Sequence, residues 1–407
     1  MSRPVATRDS YPSWLPLLLG FLSATGPLST DMYLPAFPAI EAEYHLPLGS
    51  AQVTLAAWFL GLAIGQITQG TLADRFGRRT PLIISTAMYT LASAGCALAP
   101  DINTLTVLRL IAAIAGSAAL VIPTAVVRDL STGHAAAQMT SRLIMIRGVA
   151  PIIAPPIGSL ILAFASWHGI FWFATIYGAI CWVLVVWKLP DTLAPNSRIK
   201  QNLTGMLLRY RNIAVERIFL VHALLNAASM FALFAFLGGS PGVFIDGMHL
   251  SPVDYALVFS GCAASYVVFA QFNPFMLKRY GAPKVVRVTS LVIFLTNLIL
   301  LIIAFVVPLL PGGLVWWMLM PPVMVMMGCQ GFHIPNSTVG AMHRHAAHAG
   351  SASALIGMIG FCFAASSGML AGALSDGTAR GMAGLMFAGG TAVLLADWYR
   401  RRLAAQS

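Results

Sequence analysis

Charge is scarce in this chain. Asp, Glu, Lys and Arg together make up 9% of the residues, where a soluble domain carries roughly a quarter. A mostly water-facing surface is thereby excluded, and lipid is the surrounding that remains. The five cysteines (Cys96, Cys181, Cys262, Cys329, Cys362) lie singly in apolar stretches, with no CxxC pair. Neither a disulfide framework nor a metal knuckle is indicated. No Gly-Lys dipeptide occurs anywhere, so there is no P-loop lysine to cradle a nucleotide phosphate. ATP-driven transport within this chain is disfavoured, and an ion gradient is the expected source of energy. The apolar run behind Arg3 and Arg8 continues from Trp14 to about Phe37 with no A-x-A-like site at its end. That is too long for a signal peptide and reads as an uncleaved first span.

What the chain has in excess is hydrophobicity: 58% of its 407 residues are apolar and the mean hydropathy is +0.80. A span needs about 20 apolar residues at helical rise. On that ruler six segments fall near 14–37, 50–71, 80–99, 103–127, 138–163 and 167–189. Six more fall near 215–244, 251–277, 284–308, 313–341, 349–375 and 378–399. The expected fold is an all-α membrane protein of twelve transmembrane helices in two six-helix halves, 1–189 and 215–407. A polar linker at 190–214 joins them.

The net charge of +11 does not point to nucleic acid, because no base-reading motif accompanies it. With the N-terminus inside, all but three of the 24 lysines and arginines fall in cytoplasmic loops or tails; the exceptions are Arg109, Arg147 and Arg380. The positive-inside rule then puts both termini in the cytoplasm. The halves echo one another: Asp74-Arg75-Phe76-Gly77-Arg78-Arg79 follows the second span and Lys278-Arg279-Tyr280-Gly281-Ala282-Pro283-Lys284 the eighth. Parallel six-helix repeats leave such a trace.

An ionisable group inside hydrocarbon costs about 2.5–3.5 kcal/mol and so needs a reason. Among the acids, Asp31 alone reads as lying well inside a span, between Pro27 and Pro35, which should break the helix around it. Arg109 in the fourth span sits at matching depth and is its natural partner. Two readings of Asp31 stand: a proton site that competes with substrate, or a carboxylate that satisfies freed backbone donors. Arg109 likewise serves proton coupling or locks helices together. Arg147 in the fifth span either lines a cavity and favours anionic or zwitterionic ligands, or reaches the inner headgroups. The segment around Pro151, Pro155 and Gly158 suits both a hinge and close helix packing.

At these residues the chain resembles the major facilitator superfamily, and within it the bicyclomycin/chloramphenicol-resistance (Bcr/CflA) branch of drug:proton antiporters. Gly70-Thr71-Leu72-Ala73-Asp74-Arg75-Phe76-Gly77-Arg78-Arg79 matches the superfamily's loop 2–3 motif, and Pro27 to Pro38 looks like the branch's first-helix signature. Ser166-Trp167-His168, Val127-Arg128-Asp129-Leu130 and Ala349 to Ala354 are similar to further branch features. The resemblance implies the major facilitator fold, two pseudo-symmetric bundles working by alternating access. It makes Asp31 and Arg109 the proton-coupling pair. It makes Gly70, Asp74, Arg75, Gly77, Arg78, Arg79 and Asp129 a conformational gate, with Asp74 meeting the start of span eleven and Arg78 pairing with Asp129. It also implies that spans one, four, seven and ten line the cavity. Tyr33, Asn226, Met230, Phe234, Gln330, His333 and Ser337 are then candidate substrate contacts beside Asp31 and Arg147, with helix packing the plainer reading. Two departures stand out: Gly158 is followed by Ser159 where the antiporter motif carries paired glycines, and Arg147 occupies a position expected to be uncharged.

His343, His345 and His348 could hold a metal, but a loop of mixed cations is the reading adopted, so no metal is expected. The leading expectation is a non-enzymatic, monomeric, multi-pass protein of the bacterial inner membrane. It would export small amphipathic compounds, drugs included, in exchange for protons, with lipid as its surrounding and no cofactor. A dedicated metabolite transporter on the same fold and a non-transporting membrane sensor are the alternatives.

Overall fold

The computed structural model describes residues 12–406 except 13, 132, 195, 197, 199–202, 312, 346 and 347. Arg3, Arg8 and Lys200 therefore lie outside the described residues. Among the described residues the structure is helical throughout, with no strand.

The first span is broken, as its prolines require. It runs as α1 (Leu15–Ser23), α2 (Thr25–Thr30), a 3-10 turn at Leu34–Ala36 and α3 (Phe37–Glu43). Pro35 has no N–H to give the Asp31 carbonyl, so the α-helical ladder lapses between Thr30 and Phe37. The span also continues to Glu43, past the expected end at 37, because helix resumes beyond the turn. The remaining helices of the first half are α4 (Gln52–Phe76), α5 (Arg79–Ala97), α6 (Ile102–Leu130), α7 (Gly133–Phe164) and α8 (His168–Lys188). A short amphipathic α9 (Leu203–Ala214) lies in the connector. The second half is α10 (Arg217–Pro241), prolonged by a π-helical turn at Gly242–Gly247, then α11 (Pro252–Tyr280), α12 (Ala282–Val306), α13 (Trp316–Met342), α14 (Ala349–Ala373) and α15 (Ala379–Gln406). Nine helices among the described residues are long and apolar enough to cross a membrane. The broken first span, α5 and α13 complete the twelve.

Packing repeats between the two sets. In the first, α4 lies on α6, α5 on α8 and α6, and α1 on α7; in the second, α11 lies on α13, α12 on α15 and α13, and α10 on α14. The sets meet through α4 against α14 and α7 against α11, which exchange roles under the same pseudo-two-fold relation. The loop echo is conformational too: Gly77 (φ 89°) ends α4 and Gly281 (φ 75°) ends α11, both in the left-handed region that favours glycine. Each loop is tied to the end of its half. Arg79 donates to the Val186 carbonyl (2.8 Å), and Arg400 donates to the Pro283 carbonyl (3.2 Å).

One expectation about the acids needs correcting. Asp397 is also buried within a helix, because α15 runs to Gln406 rather than ending near 399. Its neighbours at three and four residues' distance, Arg400 and Arg401, both pair with it, at 2.6 and 3.0 Å.

Candidate functional site

A cavity of about 500 Å³ lies between the two halves, a volume suited to a drug-sized molecule. Its deep walls carry Gln66, Leu120, Arg147, Asn226, Met230 and Ile334, and its charged end carries Asp74, Arg75, Arg78, Arg128 and Arg209. Asn226 donates to the Thr338 hydroxyl across the wall (3.2 Å). Phe361 lines the cavity and lies parallel to Phe59 (6.2 Å between ring centres), which in turn meets Phe234 at 4.2 Å.

Several candidate contacts do not reach this cavity. Phe234 is spent on the aromatic contact with Phe59. His333 is fully buried, with Nδ1 hydrogen-bonded to Ser229 (2.7 Å) and Nε2 to Ser290 (3.0 Å). Gln330 donates to the Ser229 carbonyl (3.1 Å), and Ser337 bonds back to Ile334 within α13. Their side chains point into the second bundle, toward α10 and α12, because α13 turns that face inward. Asn226 and Met230 face the cavity as expected.

The opposite end is closed by backbone contact between the halves. A Cβ on Gly372 would stand 2.5 Å from the Gly49 carbonyl oxygen, and one on Gly49 would stand 2.2 Å from that of Gly372. Gln52 donates to the Gly238 carbonyl alongside (3.2 Å). Glu41 accepts the Ala51 N–H (2.9 Å) and braces the turn that carries Gly49.

Arg109 reaches the segment that carries Asp31, but the two side chains are not paired. Arg109 donates from a terminal nitrogen to the Ser29 carbonyl (2.9 Å), one of the carbonyls released where α2 ends. Its guanidinium lies 4.4 Å from the Trp58 ring centre and 4.6 Å from that of Tyr33, within cation–π range. Tyr33 also shares a hydrogen bond with Thr54 (2.8 Å) and is withdrawn from the large cavity. Ser29 and Tyr33 are four residues apart and share the face turned to Arg109. Asp31, two residues from each, takes no part in this contact. The Asp31 side chain is buried, makes no hydrogen bond among the described residues, and lies within electrostatic reach of Tyr255 on α11. Tyr255 is itself bonded to Ser240 (2.8 Å). This link to the second half left no sign in the sequence, because nothing in the spacing relates position 31 to position 255.

Arg147 lines the cavity. One of its terminal nitrogens donates to the Leu120 carbonyl (2.7 Å) and to the Ser23 hydroxyl (3.2 Å), which fastens α7 to α6 and α1. Its Nε is buried without a partner.

The loop after α4 centres on Arg78. Its side chain bonds Asp74 and Asp129, the latter at 2.8 Å, while its backbone N–H donates to Asp191 (2.9 Å). Burial opposes the Arg78 charge, but the bonds and charges of Asp129 and then Asp74 outweigh it and hold the guanidinium above its ordinary pKa. The Arg78–Asp129 pair lies within the first half rather than across the gate, since α6 ends beside α5's start. Asp74 lines the cavity mouth together with Gly350 and Ser351 at the start of α14, and no hydrogen bond joins it to them among the described residues. Arg75 and Gly70 also line that mouth. Gly77 is needed twice over, because its φ is positive and a Cβ there would stand 2.2 Å from the Asp191 carboxylate. Asp191, with Thr192 bonded to Asp129 (3.1 Å), is a part of this cluster that the motif did not include.

Pro151, Pro155 and Pro156 lie inside α7. Pro156 leaves the Ile152 carbonyl without its helical donor, and Ser260 of α11 supplies one from the other half (2.7 Å). Gly158 admits the first span: a Cβ there would stand 2.0 Å from the Met32 carbonyl oxygen. Among the described residues no three metal-ligating side chains converge; His345 and Arg344 instead approach Glu216, at 3.7 and 3.6 Å.

Two pseudo-symmetric six-helix bundles around a central cavity define a polytopic membrane transporter rather than an enzyme. The Major Facilitator Superfamily model matches residues 19–372, and the chain belongs to that family. It is 32% identical over 377 residues to an MFS-type transporter of Bacillus subtilis, YdgK, covering 92% of each chain. It is 27% identical over 380 residues to a bicyclomycin resistance protein homolog of Haemophilus influenzae, covering 93% of each. The second of these names agrees with the resemblance to the drug-resistance branch. A crystal structure of a D-xylose–proton symporter superposes with a TM-score of 0.70 over 95% of each chain at 14% identity, a likeness of fold alone.

Proposed function

We propose that this protein is a proton-coupled antiporter that exports small amphipathic compounds, drugs included, from the bacterial cytoplasm by alternating access. The working unit is a monomer of two bundles, 1–189 and 215–407, in the inner membrane with both termini cytoplasmic. In that orientation the cavity opens inward and the Gly49–Gly372 contact closes the periplasmic side.

The observation that carries the reading is Asp31: a buried carboxyl with no hydrogen-bond partner among the described residues, in a broken segment whose adjoining turn, Leu34–Ala36, packs on α10 and α11. Burial costs a charged group and a neutral one differently, so this carboxyl senses whether the halves have closed around it. Opening the periplasmic side would hydrate the same group and change its proton affinity, which is the coupling antiport requires. Arg109 holds the broken segment by the Ser29 carbonyl and supplies a fixed positive potential at that level. The Arg78 cluster keeps loop 2–3 ordered as the bundles rock.

The test is transport in proteoliposomes under an imposed pH gradient, with a fluorescent amphipathic dye as cargo. Wild type should accumulate dye against its gradient and release protons; Asp31→Asn should retain dye binding and lose gradient-driven accumulation. Equal accumulation by both proteins would refute the role given to Asp31.

A further inference from the structure

The deep wall of the cavity holds a positive charge with no negative one to answer it. Arg147 makes both of its hydrogen bonds through one terminal nitrogen, to the Leu120 carbonyl and the Ser23 hydroxyl, and both acceptors are neutral. Its Nε is buried and unbonded, and among the described residues no carboxylate pairs with it. Asp74 is the one acid lining the cavity among the described residues, and it is bound to Arg78 at the mouth. Four further arginines, Arg75, Arg78, Arg128 and Arg209, line the same space, and among the described residues Arg78 alone of the four is held in a carboxylate pair. Apolar side chains of Leu120, Met230, Ile334 and Phe361 line the same cavity as Arg147, beside the polar Gln66, Asn226 and Thr338.

An arginine at membrane depth is normally matched by a carboxylate or marks a ligand pathway. Here two bonds anchor one end of the guanidinium, and the other terminal nitrogen makes none among the described residues. We propose that Arg147 receives the anionic group of the substrate, so that the cavity takes organic carboxylates: an apolar body against Met230 and Phe361 with its carboxylate on the free edge of the guanidinium. This rests on the cavity being the transport site and names the class of its cargo. The arginines at the mouth would draw anions toward the same space and repel cations.

A matched series tests it: 3-phenylpropionate, its neutral amide, and the cation 3-phenylpropylamine, which share one apolar body. Binding is measured by calorimetry on the full chain in phosphatidylcholine nanodiscs. The acid should bind at least about tenfold more tightly than the amide, the size of one charge-assisted hydrogen bond, and the amine should not bind. Arg147→Gln should bring the acid down to the affinity of the amide while leaving the amide unchanged, and Arg147→Lys should keep part of the preference. Unchanged amide affinity is the control that the variant is folded, and the acid-to-amide ratio in wild type needs no variant at all. Equal affinity for acid and amide, preferred binding of the amine, or an Arg147→Gln effect shared by acid and amide would overturn the proposal. Adding phosphatidylglycerol should leave acid binding unchanged; its loss would assign Arg147 to a lipid phosphate and overturn the proposal too. If dye is driven by the pH gradient but the acid shows no preference, this inference fails alone. If no cargo moves at all, the antiporter reading fails first.

Discussion

Gly372→Ala isolates the closure of the end opposite the cavity. Gly372 sits near the end of α14 without a positive φ, so alanine fits its own helix and should not weaken it. The added methyl would stand 2.5 Å from the Gly49 carbonyl oxygen and 3.0 Å from the Gln52 Cβ. Both neighbours belong to the other half, so the helices must separate by roughly 1 Å to restore ordinary contact. Overpacking of this kind costs about 1–3 kcal/mol. That cost falls on the closed arrangement alone, because the contact does not exist once the halves part. A shift of about 1.4 kcal/mol moves a two-state equilibrium tenfold. Nitroxides on the exposed residues Val53 and Leu374 would report the separation by pulsed EPR. Wild type should give a single short distance, and the alanine variant should add a longer component with slower cargo turnover. An unaltered distance distribution would show that this glycine contact does not control the closure.

Two other substitutions test neighbouring parts of the argument. Gly77→Ala should destabilise more than Gly281→Ala in thermal melts. Both impose left-handed strain of roughly 1–2 kcal/mol, but only Gly77 adds a collision with Asp191, while the nearest atom at Gly281 is 3.9 Å away. Ser260→Ala should cost about 1–3 kcal/mol by orphaning the Ile152 carbonyl, whereas Ser260→Thr should retain most of it; equal melting curves for alanine and wild type would show that the carbonyl finds another donor.

Hydropathy made the spans legible to within a few residues, since the length of a helix across hydrocarbon is fixed by rise per residue. The approach of Arg109 to the segment carrying Asp31 was legible for the same reason. Their failure to pair was not, because direction around a helix axis in a broken segment depends on where the ladder lapses. Loop 2–3 was recognisable by its glycine and charges. Asp191 was invisible as its partner, since contact across more than a hundred residues follows from how α5 and α8 pack. The closure by Gly49 and Gly372 was hidden for another reason: two glycines in contact carry no side-chain pattern at all. Ser260 was overlooked as one hydroxyl among many, and only the proline in the facing helix gives it a task.

The attachment of Asp191 to the loop after α4 has a consequence for how the polypeptide can be divided. Residues 191, 192 and 198 belong by contact to the first bundle, although they follow its last span: Asp191 accepts from the Arg78 amide and the Arg198 guanidinium, and the Thr192 hydroxyl donates to Asp129. A chain cut after Arg198 keeps this clamp on one fragment, with the residues that order the loop all on the same polypeptide. A cut before Asp191 hands the clamp to the other fragment, and the loop's order then depends on a meeting between two molecules. The boundary that matters for mechanical independence therefore lies about ten residues beyond the end of the sixth helix.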